Sequence, residues 1–495
     1  MQENIVSYKD FGAVGDGYTD DYLSIFKAHE YANSIGAAVV ADKGARYYMG
    51  PNGRLSCIIR TSVDWTGATF IIDDSKITLE DESMNAPLFI VEPSLERFTL
   101  PLESLAKGAE SLGVKPGVPC LIMLVDETQR RYIRFGPNAN KGVPQSEIIL
   151  VDADGRIDPD TPPTFEYKNI TSHFCIPTDE EPVTLKGGHF ITVANATFPK
   201  RWVAFERGIR VKRSNTTVEG LKHSVVGDNP YRCAYHGIIV AENSNNILIK
   251  DCEFQAMQNT YFKGADGKDV LIGSYETGGR ACNNITWQGC TQSNFFNPDG
   301  SVNQAGMMGS NLLKNVKYID NFVGSFDAHT GLYNLYMKGC TIKGMGIQGG
   351  GLAVLEDVHM YKPYAMHLKC DYGSGWDGDF VFKNVTLDDP GKTDRYYLFR
   401  THWVNHDFGY KVKLPRRVTV ENMKLPDGCH ITYLRSFFDG HIDVSADKLI
   451  DGSENKNPVA PTELITVIDK EKDLDFRLND GEFLKHTSLE FKKQT

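Results

Sequence analysis

The chain lacks several features that would settle its class at once. No apolar run approaches the roughly 18–20 residues needed to cross a bilayer, so no membrane span is expected. It carries no block of Lys or Arg and its net charge is −11, which argues against nucleic acid as partner. A local basic patch would still permit an acidic polysaccharide. Ten cysteines include no Cys-x-x-Cys pair, which argues against a zinc knuckle or dithiol redox motif. Met1-Gln2-Glu3-Asn4 is polar and shows no signal peptide. Two readings follow: a cytoplasmic protein, or a secreted one in mature form with an added Met.

What is present is ordinary globular material. Of 495 residues, 41% are hydrophobic, 24% charged and 11% aromatic, enough for a large core in one to three domains. The 46 glycines point to many tight turns.

A short phrase recurs through the second half: an Asn or apolar start, a β-rich triplet, a polar bend, then a small inward residue. Examples are Leu248-Ile249-Lys250-Asp251-Cys252, Asn284-Ile285-Thr286-Trp287-Gln288-Gly289-Cys290 and Leu335-Tyr336-Met337-Lys338-Gly339-Cys340. The final slot falls at Leu221, Cys252, Cys290, Asn321, Cys340, Val358, Val385 and Met423, with steps of 31, 38, 31, 19, 18, 27 and 38 residues. Coils of roughly 20–30 residues, some carrying loops, fit a β-helix. The strands are rich in Val, Ile, Thr and Tyr at period two, which disfavours helical repeats. A Gly, Asp or Asn before each slot suits a tight corner. Cys252, Cys290 and Cys340 then form a buried stack of thiols rather than disulfides, and Asn321 bonds to backbone.

Near the N-terminus stands Asp10-Phe11-Gly12-Ala13-Val14-Gly15-Asp16-Gly17-Tyr18-Thr19-Asp20-Asp21. This resembles the opening motif of the pectate-lyase-like right-handed parallel β-helix superfamily, which includes family 28 glycosidases, polysaccharide lyases and phage tailspikes. The resemblance implies an all-β parallel β-helix whose first helix covers the end of the stack. Thr19 or Asp20 is expected to cap that helix, and Leu23, Phe26 and Ala28 to form its apolar side. The polygalacturonase signatures Asn-Thr-Asp, Asp-Asp, Gly-His-Gly and Arg-Ile-Lys do not occur in order. Tyr235-His236-Gly237 is the near-miss, and polygalacturonase is disfavoured.

The expected organisation is a cap and first coils at 1–90, an inserted small β subdomain at 91–172, the main β-helix at 173–435, and final strands with a C-terminal cap at 436–495. The insertion either walls a cleft or is a loop-derived decoration.

Outward side chains of stacked coils lie about 4.8 Å apart, a spacing suited to consecutive sugar subsites. Counting back from Cys340 reaches Asp327-Ala328-His329. Period two sends Asp327 and His329 to one outward face, with Phe326 and Ala328 inward. An Asp beside a His orients and polarises the imidazole. The same count puts Tyr275, Glu276 and Arg280 on one side of this pair and Gln348, His367 and Lys369 on the other. His402, Trp403 and His236 are further substrate-binding candidates. Arg280 is either functional or a turn residue, and Trp376 and Trp403 either stack on sugars or pack in the core. Asp371, Asp377 and Asp379 are weak candidates for calcium; a solvated glycine-rich loop is the expected alternative.

These residues suggest a polysaccharide lyase acting on a uronic-acid polymer. Arg280 or Lys369 would neutralise the uronate, His329 would be the base and Tyr275 or Tyr333 the acid. A glycoside hydrolase would instead pair Asp327 with Glu276 or Glu356. A tailspike-like glycan-binding protein without turnover is the third reading. A polymeric glycan as partner implies a secreted, periplasmic or cell-surface location. The oligomeric state is left open.

Overall fold

The computed structural model describes residues 5–493 except 79–80, 135–139, 196–203, 228–233, 236, 257, 264–268, 274, 304–305, 390, 392, 405, 439–441, 445–458, 470–473 and 479–486. One β-sheet assembly carries parallel pairing from end to end. Ile5–Ser7 pairs with Ala38–Val40, which pairs with Val63–Asp64, which pairs with Val183–Lys186. The pairing continues through Thr216–Glu219, Asn245–Lys250, Asn283–Gln288 and Met307–Ile319. It then passes through Phe322–Lys338, Gly349–Glu356, Trp376–Lys383 and Arg417–Glu421 to Leu464–Asp469 and Ser488–Lys493. Strands distant in sequence thus pair in parallel, coil upon coil, as in a right-handed parallel β-helix.

The repeated phrase has a conformational cause. Gly220, Asp251, Gly289, Asp320, Gly339, Asp357, Asn384 and Asn422, the bend before each slot, all have φ between 49° and 66°. Left-handed backbone is tolerated by Gly, Asn and Asp and resisted by other side chains. The slot residue after the bend is then turned into the core: Leu221, Cys252, Cys290, Cys340, Val358, Val385 and Met423 are all buried. The described cysteines are free thiols. Asn321 fills its slot by donating Nδ2 to the Trp287 carbonyl at 2.9 Å and accepting the Cys290 N–H at 2.8 Å.

A second corner carries asparagine at Asn215, Asn246, Asn284, Asn315 and Asn334, again with positive φ. Their amides bond from coil to coil, Asn246 to Asn215 at 2.5 Å and Asn334 to Asn315 at 2.9 Å.

The helix Tyr22–Ile35 packs on the first strands. Asp21 is its N-cap residue, but the Tyr22 N–H is taken by Asp20 Oδ1 at 3.0 Å. Thr19 instead bonds to Asp16. The buried face is Tyr22, Ile25, Ala28, His29 and Ala32. Leu23 is 55% exposed, contrary to expectation, because it lies off the i, i+3, i+7 stripe that Tyr22 begins.

Between the early coils and the main stack, Cys120–Arg131 is flanked antiparallel by Val143–Val151 and Ser172–Pro177. This sheet has its own core, including Leu105, Ile122, Ile149 and Tyr167. It meets the β-helix through Leu121, Met123 and Ile148 against Ala281. Beside that contact the buried Lys314 ammonium is 2.9 Å from Glu147 and 2.7 Å from the Pro162 carbonyl.

Candidate active site

Phe322–Lys338 is the strand that carries Asp327 and His329. Phe326 and Ala328 are buried in the core, so alternation turns Asp327 and His329 to the same outer face. His329 Nε2 is 2.5 Å from Asp327 Oδ2. The Tyr275 hydroxyl donates to the same oxygen at 3.1 Å, and the Lys369 ammonium donates to Oδ1.

Two glycines make this convergence possible. Gly309 and Gly346 flank Asp327 in the coils on either side. A Cβ at 309 would lie 2.7 Å from the Tyr275 ring, and one at 346 would lie 3.2 Å from Lys369 Cε. Both side chains reach Asp327 across bare backbone.

Burial acts to raise the Asp327 carboxyl, but Lys369 and His329 outweigh it and hold it well below the usual carboxylate range. Burial lowers Lys369, against the opposing pull of Asp327. Asp327 is therefore an ionised carboxylate with its oxygens committed to three donors.

His329 keeps 42% of its side chain exposed. Asn311 Oδ1 accepts both the His329 and Thr330 N–H groups at 3.0 Å, and Gln348 Nε2 donates to the His329 carbonyl. The Tyr372 ring stacks on the imidazole at 5.8 Å and 24°. Burial pushes the Tyr372 hydroxyl up to about 12. Arg134, from the insertion, lies 5.0 Å over the Tyr372 ring and 3.9 Å from Asp371. Burial raises Asp371 despite Arg134 and Lys369, and its Oδ1 is buried without a partner. Tyr372 and Arg134 are not among the sequence candidates; Arg134 comes from the insertion, and no local pattern marks a residue reaching in from another subdomain.

Several expectations need correction. Glu276 is buried rather than outward. Tyr275 pairs with Met307 and Thr277 with Met308, so Glu276 sits on a bulge where alternation breaks. Gln348 is fully buried at the corner between two strands, bonded to the His329 backbone. Trp403 is in the core, its Nε1 bonded to Thr401 at 2.8 Å. Trp376 is also in the core, bonded to the Gly351 carbonyl at 3.1 Å. Tyr333 lines a cleft beside Lys314, 5.5 Å from its ammonium, and not the Asp327 group. Arg280 is exposed, paired in register with Asn311. His367 and His402 are partly exposed neighbours, ring centres 4.9 Å apart. His236 lies outside the described residues.

The acidic loop does not gather oxygens for calcium. Asp371 faces Arg134, Asp377 is held by Lys413 at 2.5 Å, and Asp379 by Arg416 at 3.2 Å. Among the described residues no group of three or more His, Cys, Asp or Glu is placed to hold a metal.

The Tyr333 cleft has a volume of about 950 Å³. One wall is the insertion, with Arg131, Tyr132 and Phe165, and the floor is the glycine-rich run Gly349-Gly350-Gly351 and Gly373-Ser374-Gly375. Arg131 lies 4.9 Å over Phe165 and 4.5 Å over Tyr410. Tyr372, stacked on His329, directly precedes the cleft residue Gly373, so the cleft and the Asp327 group are neighbours.

No family model matches the chain, and no curated protein matches its sequence. Solved structures do resemble it. The tailspike of Pseudomonas phage phi297 matches with a TM-score of 0.52 at 12% identity, over 99% of this chain and 84% of that one. The tailspike of Acinetobacter baumannii bacteriophage AP22, solved with a capsular saccharide, matches with a TM-score of 0.51 at 10% identity. That match covers 98% of this chain and 79% of the tailspike. The fold these tailspikes share with the chain is thus the parallel β-helix. Among the described residues no helix is long and apolar enough to cross a membrane.

Proposed function

We propose that this protein is a carbohydrate-active enzyme that cleaves a uronic-acid-containing polysaccharide by β-elimination outside the cell. The observation that carries this reading is the half-exposed His329 imidazole held at Nε2 by a partly buried, ionised Asp327. With Nε2 donating to Asp327, the Nδ1 lone pair is left for a proton on the substrate.

In the proposed reaction His329 Nδ1 takes the uronate C5 proton. The electron pair forms a C4–C5 double bond as the C4–O bond breaks. Tyr372, kept protonated by burial, gives its proton to the leaving oxygen. Arg280, which is exposed, and Arg134, which shares its charge with Asp371 at 3.9 Å, are the cations that would neutralise the uronate carboxylate. The capsular saccharide bound by the AP22 tailspike supports a glycan ligand on a β-helix of this kind.

Incubation with pectin, alginate and chondroitin sulfate tests the proposal through absorbance of the unsaturated product. His329→Ala is expected to lower kcat by about 10²–10⁴-fold. Release of reducing ends without that absorbance would overturn it.

A second reading rests on the opposite shifts of two carboxyls, Asp327 down and Asp371 up. Such a split assigns base and acid in a glycoside hydrolase. It is second because every donor around Asp327 is already bonded to it. Saturated products, lost in Asp371→Asn, would favour it. Tight glycan binding without turnover, indifferent to His329→Ala, would favour a tailspike-like binding role.

A further inference from the structure

The outward position of Asp327 continues along the stack. Asp327 pairs with Gly346, Gly346 with His367, His367 with Arg400 and Arg400 with Arg435. At about 4.8 Å per coil, Arg400 stands about 14 Å from Asp327 along the helix axis.

Both arginines are held by rings. The Arg400 guanidinium lies 5.4 Å from the Tyr364 ring centre and 4.9 Å from that of Phe437. Arg435 lies 5.2 Å from Tyr397 and 4.6 Å from the same Phe437. His402 Nε2 is 3.2 Å from an Arg400 terminal nitrogen, and Arg400 Nε is buried without a partner. Among the described residues no carboxylate pairs with Arg400. Other cations on this face do have acidic partners: Lys369 with Asp327, Arg134 with Asp371, Lys413 with Asp377.

Stacking fixes the plane of a guanidinium while leaving donors on its edge for a ligand. In a chain of net charge −11, this strip is a local cationic surface along the direction in which a polymer would lie. A bidentate guanidinium contact suits a carboxylate.

We infer that Arg400, with Arg435 beside it, forms a subsite for the carboxylate of a uronate residue in a polymer bound along the helix axis, about three coils from His329. This rests on the proposed acidic-polysaccharide reading for the class of ligand. It adds the direction of binding and two recognition residues outside the Asp327 group.

The test is calorimetric titration of His329→Ala protein, which leaves polymer intact on the proposed mechanism. The probes are polygalacturonate, alginate and chondroitin sulfate, with carboxyl-reduced forms of each. At least one acidic polymer should bind, and Arg400→Gln should weaken it roughly tenfold or more. Arg400→Lys should lie between, and carboxyl reduction should remove the difference between parent and Arg400→Gln. Arg435→Gln is the second variant, and thermal melts check the fold of each. Affinity within about twofold of the parent in both Gln variants, equal binding of carboxyl-reduced polymer, or no binding to any acidic polymer would overturn the inference. Arg400-dependent binding with no unsaturated product from the His329-intact protein would sink the elimination chemistry and leave the subsite. Unsaturated product with Arg400-independent affinity would do the reverse.

Discussion

Asp327 orients His329 well because its own position is fixed from three sides. Tyr275, His329 and Lys369 approach one carboxylate, and two of them cross glycine to do so. Gly309 is the tighter of the two, but Gly346 bears on the ammonium and the carboxylate together, since its absent Cβ would lie 3.2 Å from Lys369 Cε and 3.4 Å from Asp327 Oδ1. Gly346→Ala is expected to displace the ammonium and tilt the carboxylate. The expected loss of cleavage is up to about 10²-fold, with a stability cost of about 1–3 kcal/mol for the added methyl. Steady-state rates and urea melts on one preparation separate the two effects. Full activity would mean that His329 does not depend on the Lys369 contact. Asp327 and His329 were legible in the sequence because period two and the Cys340 slot fix their face. Trp403 as a sugar-binding candidate runs against this same rule, since alternation from an outward His402 points it inward. Glu276 was not, because a bulge adds one residue without any mark in composition.

At the scale of elements, corners were more legible than contacts. A left-handed bend admits few residue types, so Asp251, Gly289 and Asn384 announce it locally. The meeting of insertion and stack has no such mark: Glu147 and Lys314 are far apart in sequence yet 2.9 Å apart and buried. Glu147 also accepts from the Thr164 and Phe165 N–H groups, so it closes the insertion on itself while anchoring it. Burial lowers Lys314, and Glu147 opposes that pull. Lys314→Met leaves Glu147 buried without its cation and should cost about 3–5 kcal/mol. The double variant Glu147→Gln, Lys314→Met should recover part of that loss. Urea unfolding of the single and double variants checks this; additive losses would show that the pair acts as two separate groups. Because Arg131 and Tyr132 line the cleft and Arg134 reaches Tyr372, glycan affinity should fall with the anchor.

Across the whole molecule, a stack in which each coil touches its neighbours has no need to fail everywhere at once. Acid should find its weak end. His29, on the N-terminal helix, and His223, in an early coil, are both buried, and burial holds each down to about 3. Each imidazole is bonded as a neutral ring, His29 to the Tyr8 hydroxyl and His223 to Thr192, both at 2.9 Å. Their folded pKa lies below the unfolded value of about 6.5. The unfolded chain therefore binds more protons between those limits, and stability falls as pH drops through that window. Each histidine removes up to about 1.4 kcal/mol per pH unit there. Hydrogen exchange at pH 7 and pH 4 should show the N-terminal coils losing protection before the coils around Cys290 and Cys340. The coil after Val358 is a second acid-sensitive place, because burial also holds His367 well below its usual value. His29→Gln and His223→Gln should flatten that difference. Uniform loss of protection along the chain would mean that the stack opens as a single unit and that these two rings do not set its acid limit.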